Sequence, residues 1–166
     1  QHLHLVQRAV AVDRDQQAQA AVDALAAGIF LVPGDRRTEG LALTRTALFN
    51  IPLANLGRAS GKGWVLRRRR IREDAQRMTA QVALHPPSLT IPASGYSGGN
   101  QQKIVLAKGL YAEADVYIFV EPTVGVDIGA RAKIYALIRE LAQSAAVIVM
   151  SSDCDEVHGI ADRTLA

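Results

Sequence analysis

The sequence has one cysteine, Cys154, and no long apolar run. A single thiol cannot form a disulfide within the chain, which excludes disulfide-stapled scaffolds and suits a reducing compartment. No stretch approaches the roughly 20 apolar residues of a membrane-spanning helix. The opening residues QHLHLVQRAV also lack the apolar core and cleavage site of a signal peptide. We therefore expect any work at a membrane to be done through a partner.

Aromatic residues are also scarce, at 5% of the chain, and this bears on the one strongly basic stretch. That stretch contains Arg67, Arg68, Arg69, Arg70, Arg72 and Arg77. Such a run can bind nucleic acid or anionic lipid, or it can be the solvated face of a helix. No aromatic side chains are interleaved for stacking on bases, and Glu73 and Asp74 interrupt the run. We favour the solvated face and expect no nucleic-acid partner.

Both ends of the chain show an α/β rhythm. Apolar residues at helical spacing predict a helix over 16–27, ended by Gly28, and Ile29–Val32 is typical of a short buried strand. Later, apolar runs predict strands over 116–120 and 145–150, with helices starting near Ile128 and Asp153. This order favours a parallel sheet with right-handed crossovers, and the continuous run at 116–120 predicts a strand covered on both faces.

The middle of the chain, about 41–110, has a different character. Residues 41–56 and 64–84 are mostly helical in pattern, and the glycine-rich segment GRASGKG separates them. Pro86, Pro87 and Pro92 then impose an extended loop. No strand candidate of comparable strength lies here, so we predict a helical subdomain.

The segment YSGGNQQK, which begins at Tyr96, offers chemistry at a helix start. Ser97 is a good N-cap, and Gly98 and Gly99 permit close approach to the backbone. Free N–H groups and the helix dipole at such a start favour an anion such as phosphate. The alternative is an ordinary capped helix that follows a proline loop.

A second segment, VYIFVEPTVGVDIGA, begins at Val116. A buried strand delivers Glu121 to its carboxyl end, where α/β proteins place ligands, and a carboxylate there can orient or deprotonate an attacking water. Pro122 then ends the strand, and Asp127 can cap the following helix. The alternatives are a solvated acid at a strand end and a plain N-cap.

Together these segments resemble a known family, the ATP-binding subunits of monosaccharide ABC importers of the ribose, galactose and xylose type. YSGGNQQK is similar to the ABC signature of their second nucleotide-binding domain, IFVEPT to the Walker B strand, and GVDIGA to the D-loop. IVMSSDCDEVHGIADRTLA resembles the switch strand and its helix, and AAGIFLVPGDRRTEGL the segment at the Q-loop. Five matches in the family's order cover about residues 22–166.

The resemblance implies an α/β fold, a partial P-loop NTPase of the ABC type with a parallel sheet plus a helical subdomain. Residues 1–40 would be a remnant of the ATPase core with the Q-loop-like segment, 41–110 the helical subdomain ending in the signature, and 111–166 a further portion of the RecA-like core. It also implies the partners, which are another ABC nucleotide-binding domain and transmembrane permease subunits. The implied location is peripheral, at the cytoplasmic face of the inner membrane.

The resemblance further implies a shared ATP site. In this family two domains pair head to tail, and the signature of one closes over ATP held by the other. Ser97, Gly98 and Gly99 would contact the γ-phosphate, and Asp127 would lie at the seam between the domains. Asn100 and Gln101, in the same segment, are also counted as nucleotide-binding residues, and Mg²⁺ would be held only through the partner.

The sequence departs from the family's pattern at several points. It contains no G-x-x-x-x-G-K-[S/T] phosphate loop, since GRASGKG is one residue too short and ends in Gly63. Val120 stands where the Walker B aspartate supports Mg²⁺, Gly34 stands for a glutamate, and Ser152 for the switch histidine of many relatives. We therefore predict that Glu121 is vestigial as a catalytic residue and that the chain alone does not hydrolyse ATP.

Residues 1–15 do not supply the strands and phosphate loop that should precede residue 16, so we expect a fragment of a longer protein or a gene remnant. The four histidines suggest no third ligand for a metal, and no metal site is predicted. The favoured function is an ATP-binding component of a sugar importer that lends signature and D-loop to a composite site. The alternative is a degenerate, non-catalytic module that docks on a permease.

Overall fold

The structure, a computed structural model, describes residues 14–60 and 65–164. Seven helices and three strands lie in these ranges, joined by short turns. In chain order they are α1 (Arg14–Ala26), β1 (Ile29–Val32), a π-helical turn (Arg36–Gly40), α2 (Ala47–Asn50), a 3-10 turn (Ile51–Ala54), α3 (Leu56–Ala59), α4 (Arg68–Gln81), a second 3-10 turn (Ala93–Gly95), α5 (Gly98–Ala112), β2 (Val116–Val120), α6 (Ile128–Leu141), β3 (Ala146–Met150) and α7 (Cys154–Ile160). No helix of the described part is long and apolar enough to cross a bilayer.

The three strands form one parallel sheet in the order β1-β2-β3. Ile29 is in register with Val116, and Val116 with Ala146. The predicted parallel α/β arrangement is therefore confirmed. The strand and helix bounds differ from the expected ones by one or two residues.

One face of the sheet carries the core. Phe30, Tyr117 and Phe119 are buried there, and α5 packs against β1 so closely that Gly109 is needed, since a Cβ at that position would lie 3.3 Å from the Phe30 ring. Removing a ring such as that of Phe119 would cost roughly 3–5 kcal/mol. Because α5 lies on this face, its first turn is held above the carboxyl ends of β1 and β2.

The other face of the sheet is open in the described part of the chain. Leu31, Ile148 and Met150 point to it, and each is at least half exposed. The expectation that residues 116–120 form a strand covered on both faces is wrong here, because Ile118 is only half-buried while its neighbours Tyr117 and Phe119 are fully buried on the opposite side.

The middle section is helical, although its first half is built from short turns rather than one long helix. Asn50, fully buried, holds these turns together: its Oδ1 accepts from the Ala42 N–H at 2.8 Å, and its Nδ2 donates to the Thr46 carbonyl at 3.0 Å. The second half contains α4, whose buried face includes Ile71, Ala75 and Met78. The division of the chain at 40 and 110 stays a prediction, and GRASGKG lies partly outside the described residues.

Candidate functional site

The start of α5 is the first part of the candidate site. Ser97 is exposed and caps the helix, with its Oγ accepting from the Asn100 N–H at 3.4 Å and from Asn100 Nδ2 at 3.0 Å. The next N–H groups, those of Gly98 and Gly99, belong to a first helical turn, which has no acceptor within the helix. The predicted cap is therefore confirmed, and the helix dipole favours negative charge at this point.

The side chains of Asn100 and Gln101, which follow these glycines, contact the loop that precedes α5. Asn100 Oδ1 accepts from the His85 N–H at 3.0 Å, which ties the proline loop to Ser97 through one amide. Gln101 is only 3% exposed, and its Nε2 donates to the carbonyls of Ala93 and Tyr96 at 3.2 and 3.1 Å. In this arrangement the Gln101 side chain fixes the loop in front of the helix, and its nucleotide-binding role stays a prediction.

Arg36 lies between the signature-like turn and the D-loop-like turn. Its Nη1 donates to the Val124 carbonyl at 3.1 Å. Its Nη2 would lie 2.5 Å from a Cβ at Gly98 and 3.1 Å from a Cβ at Gly125. Gly125 also has a φ of +71°, which favours glycine for a second reason. A side chain at either glycine would therefore displace this guanidinium. Arg36 therefore contacts both the signature-like turn and the D-loop-like turn and joins them into one surface.

The turn that presents Arg36 is fixed by its neighbour Asp35. Hydrogen bonds from the Thr38 side chain and from the Arg37 and Thr38 backbone lower the pKa of Asp35. Gly34 is one residue earlier, and a Cβ at this position would lie 3.6 Å from the Glu121 Cβ. The Q-loop-like segment thus contacts three of the four other predicted segments, namely the signature-like, Walker B-like and D-loop-like ones, at the carboxyl ends of the strands.

Glu121 is held by the loop after β3. Its Oε1 accepts from the Ser152 N–H at 2.8 Å, its Oε2 from the Ser151 hydroxyl at 3.4 Å, and its backbone N–H donates to the Met150 carbonyl at 2.8 Å. Its φ of +48° is unusual for a residue with a side chain and costs of order 1–3 kcal/mol. The switch-like loop therefore supplies hydrogen-bond donors to this carboxylate.

A second carboxylate, Glu156, lies beneath the first. It is 4% exposed, and its Oε1 accepts from the Thr123 hydroxyl at 2.7 Å while its Oε2 accepts from the Ser151 hydroxyl. Ser151 has one proton, so it can donate to Glu121 or to Glu156 but not to both at once. Glu156 therefore connects the D-loop-like turn, which contains Thr123, with the loop that holds Glu121.

Asp127 caps α6, as predicted: its Oδ1 accepts from the Ala130 N–H at 2.9 Å. The residue is exposed, beside Val126, and its backbone follows the turn against which Arg36 packs. A role at a seam with a second domain stays a prediction. Within the described ranges, no group of three His, Cys, Asp or Glu side chains is placed to hold a metal ion.

A further groove lies at the other end of the molecule. About 610 Å³ in volume, it is bordered by α1, by residues 53–56 and by residues 112–115. Gly28 and Asp115, which line it, precede β1 and β2, whereas Ser97, Glu121 and Arg36 lie where these strands end. The groove and the candidate site are therefore separate features.

The described cassette has clear structural neighbours. A dimeric bacterial ABC transporter cassette matches with a TM-score of 0.69 at 21% identity, over 89% of this chain and 60% of that one. An ATP-binding cassette in a post-hydrolysis dimer, bound to ADP and Pi, matches with a TM-score of 0.67 at 22% identity, over 87% and 59%. The fold is that of an ABC ATPase cassette.

Proteins of similar sequence show which kind of ABC protein the chain resembles. The chain is 43% identical over 142 residues to a ribose import ATP-binding protein of Hahella chejuensis, and 42% identical over 142 residues to an arabinose import ATP-binding protein of Burkholderia thailandensis. Each alignment covers 85% of this chain but only 28% and 27% of those relatives. No family profile matches the chain. The chain is thus homologous to one segment of the ATP-binding proteins of sugar ABC importers.

Sequence reasoning missed Arg36, Ser151 and Glu156 as site residues. Two signals for Arg36 were present, a capped turn at Asp35 and glycines at both positions that the guanidinium contacts. Nothing in the sequence marked Glu156, because its partners Thr123 and Ser151 lie on other loops.

Proposed function

We propose that this chain is part of the ATP-binding component of a sugar importer and lends the start of α5 and the D-loop-like turn to a composite ATP site. The triphosphate and its Mg²⁺ would be held by the phosphate loop of another nucleotide-binding domain. Sugar uptake would be powered through permease subunits, with the chain peripheral at the cytoplasmic face of the inner membrane. The relatives' names support this reading, as each is an import ATP-binding protein.

The observation that carries the proposal is the start of α5, where Ser97 is exposed and Gly98 and Gly99 are half-buried. Ser97, Gly98 and Gly99 lie at a helix start with free N–H groups, and Arg36 adds a positive charge directly beside them. No described carboxylate lies within ion-pair distance of Arg36. An anionic γ-phosphate would therefore meet both a dipole and a guanidinium.

Hydrolysis by this chain alone is not part of the proposal. Glu121 is already bonded to Ser151 and Ser152, and Val120 provides no metal ligand. Asn100 and Asp127 would shape the rim through their backbone turns, and Gln101 would act from below by fixing the loop at Ala93.

The proposal is tested by association with a complete sugar-importer ATP-binding protein, measured with and without Mg²⁺-ATP. Ser97→Asp separates two roles of the residue, because aspartate caps a helix as well as serine does but places a negative charge against the phosphate. We expect ATP-dependent association, weakened at least about tenfold in Ser97→Asp with little change in stability.

Thr46→Asp is the control, since it also places an aspartate at a helix N-cap, that of α2, whose backbone pairs with Pro92 rather than with the start of α5. It should leave association unchanged. Association that does not depend on ATP, or that survives Ser97→Asp at full strength, would refute the composite site.

The second candidate is a non-catalytic assembly module that docks on a permease. The network around Glu121 favours it, because the loop after β3 holds this carboxylate through the Ser152 N–H and places the Ser151 hydroxyl beside it. This candidate predicts permease binding without nucleotide and no ATP turnover in Val120→Asp. Turnover in that variant would exclude it.

A further inference from the structure

The most basic stretch of the chain continues into an exposed apolar pair. Residues 67–77 hold six arginines and two carboxylates, a net charge of +4 against +3 for the whole chain. Directly before them, Val65 is 68% exposed and Leu66 is 52% exposed. We call Val65, Leu66, Arg67, Arg68 and Arg72 the basic patch.

The basic patch sits on a well-anchored frame. Leu66 forms an antiparallel bridge with Ser60, and the Arg67 N–H donates to the Ala59 carbonyl at 3.0 Å. On the other side of α4, Ile71 and Met78 are buried in the core. The apolar pair is therefore exposed because the packed side of this segment faces inward, and its position is fixed.

The charges of the basic patch are not compensated by described carboxylates. Arg69 pairs with Glu73, and Arg70 and Arg77 both pair with Asp74. The patch residues Arg67, Arg68 and Arg72 have no such ion pair among the described residues.

Their placement also opposes helix stability. Arg67 is the N-cap of α4 and makes no capping bond, and the first turn contains arginines but no acidic residue. Cations at a helix N-terminus oppose the helix dipole, and Arg68 and Arg72 are like charges four residues apart. Folding gains nothing from this arrangement, whereas an anionic surface placed against it would remove both penalties.

We propose that the basic patch binds directly to an anionic lipid surface, with the arginines at the headgroups and Val65 and Leu66 inserted between them. This contact goes beyond the nucleotide site and does not depend on it. Exposed apolar side chains beside uncompensated cations are the chemistry of interfacial binding, in which each arginine near the surface adds to affinity. A nucleic acid would use the charges but leave Val65 and Leu66 without a partner.

The full chain carries its own probe, since its single tryptophan, Trp64, precedes Val65 in the sequence. Vesicles of phosphatidylcholine with 30% phosphatidylglycerol, roughly the scale of an anionic leaflet, are compared with pure phosphatidylcholine. Binding is followed by flotation and by the Trp64 emission maximum, without nucleotide. We expect binding to the anionic vesicles only, a shift of the emission to shorter wavelength, and weakening with added salt.

The test variant is Arg67→Gln with Arg68→Gln, which should weaken vesicle binding about fivefold per arginine, or about 25-fold together. The matched control, Lys133→Gln with Arg163→Gln, removes the same charge from exposed positions elsewhere and should change binding less than about twofold. Val65→Ser with Leu66→Ser should retain flotation at low salt but lose the emission shift. All four positions of the test variants are exposed, and circular dichroism checks that they fold.

Three results would overturn the proposal. The first is equal binding to neutral and anionic vesicles, or to neither. The second is a control pair that weakens binding as much as the patch pair does. The third is tighter binding to duplex DNA than to anionic vesicles at the same salt concentration, which would assign the arginines to nucleic acid. Because no nucleotide is present, none of these results bears on the composite ATP site.

Discussion

The contact between Arg36 and Gly98 can be tested by a double-mutant cycle on the free energy of unfolding. An alanine Cβ at Gly98 would lie 2.5 Å from Arg36 Nη2, so the guanidinium must move and lose its bond to the Val124 carbonyl. Losing that bond and displacing the side chain costs about 1.5–2 kcal/mol, while alanine in the helix gains about 0.5–1 kcal/mol over glycine. We therefore expect Gly98→Ala to destabilise the chain by about 1 kcal/mol.

In the Arg36→Ala background the obstacle is gone, and the same substitution should stabilise by about 0.5–1 kcal/mol. The two backgrounds thus differ by a coupling free energy of about 1.5–2 kcal/mol. Urea unfolding of the four proteins measures it from the midpoints, provided that the slopes agree. In thermal unfolding, 1 kcal/mol corresponds to about 2–4 °C for a chain of this size.

Gly159→Ala is the internal control. Gly159 is also helical, but a Cβ there meets nothing within 4 Å, so the substitution should stabilise by about 0.5–1 kcal/mol in both backgrounds. If Gly98→Ala has the same effect with and without Arg36, to within about 0.5 kcal/mol, the two residues are not in contact and the reasoning is refuted.

Two further predictions concern groups that the sequence did not mark. Glu156→Ala leaves the Thr123 hydroxyl without its acceptor and the Ser151 hydroxyl with only the longer contact to Glu121, and it should cost about 2–4 kcal/mol in thermal unfolding, whereas Glu156→Gln keeps an acceptor and should cost less; equal losses would contradict the network. Burial lowers the pKa of Lys108 below 10.5, so the folded state binds its proton less well than the unfolded state. The free energy of unfolding should then rise as the pH passes from the lowered pKa towards 10.5. Lys108→Met should be more stable than the unsubstituted chain below that interval and should lose this advantage above it. A difference in stability between the two proteins that does not vary with pH would contradict this.

The parts of the fold that were predicted correctly are those encoded by neighbours in sequence. The strand Val116–Val120 is one apolar run, and the caps at Ser97 and Asp127 bond to N–H groups three residues onward. Such signals need no knowledge of the rest of the chain, because the side chain and its partner belong to the same turn.

The missed parts depend on contacts between distant positions. Arg36 donates to a carbonyl 88 residues away, and Thr123 donates to Glu156 across 33 residues. The sequence pattern also did not reveal that the Gln101 side chain donates to the Ala93 carbonyl in the preceding loop, and the nucleotide-binding role of this residue stays a prediction. Which side of a helix faces the interior near its first turn is decided by the loop that precedes it, and no local pattern encodes that loop.

The open face of the sheet has a consequence for handling the chain in solution. Leu31, on one edge strand of the sheet, and Ile148 and Met150, on the opposite edge strand, present hydrocarbon to water, and β1 and β3 have no further strand beside them in the described part. Hydrocarbon of this kind draws copies together as they are concentrated, because each encounter releases ordered water. The association of the purified chain will therefore depend on its concentration, and a mild detergent will reduce it by covering this exposed face.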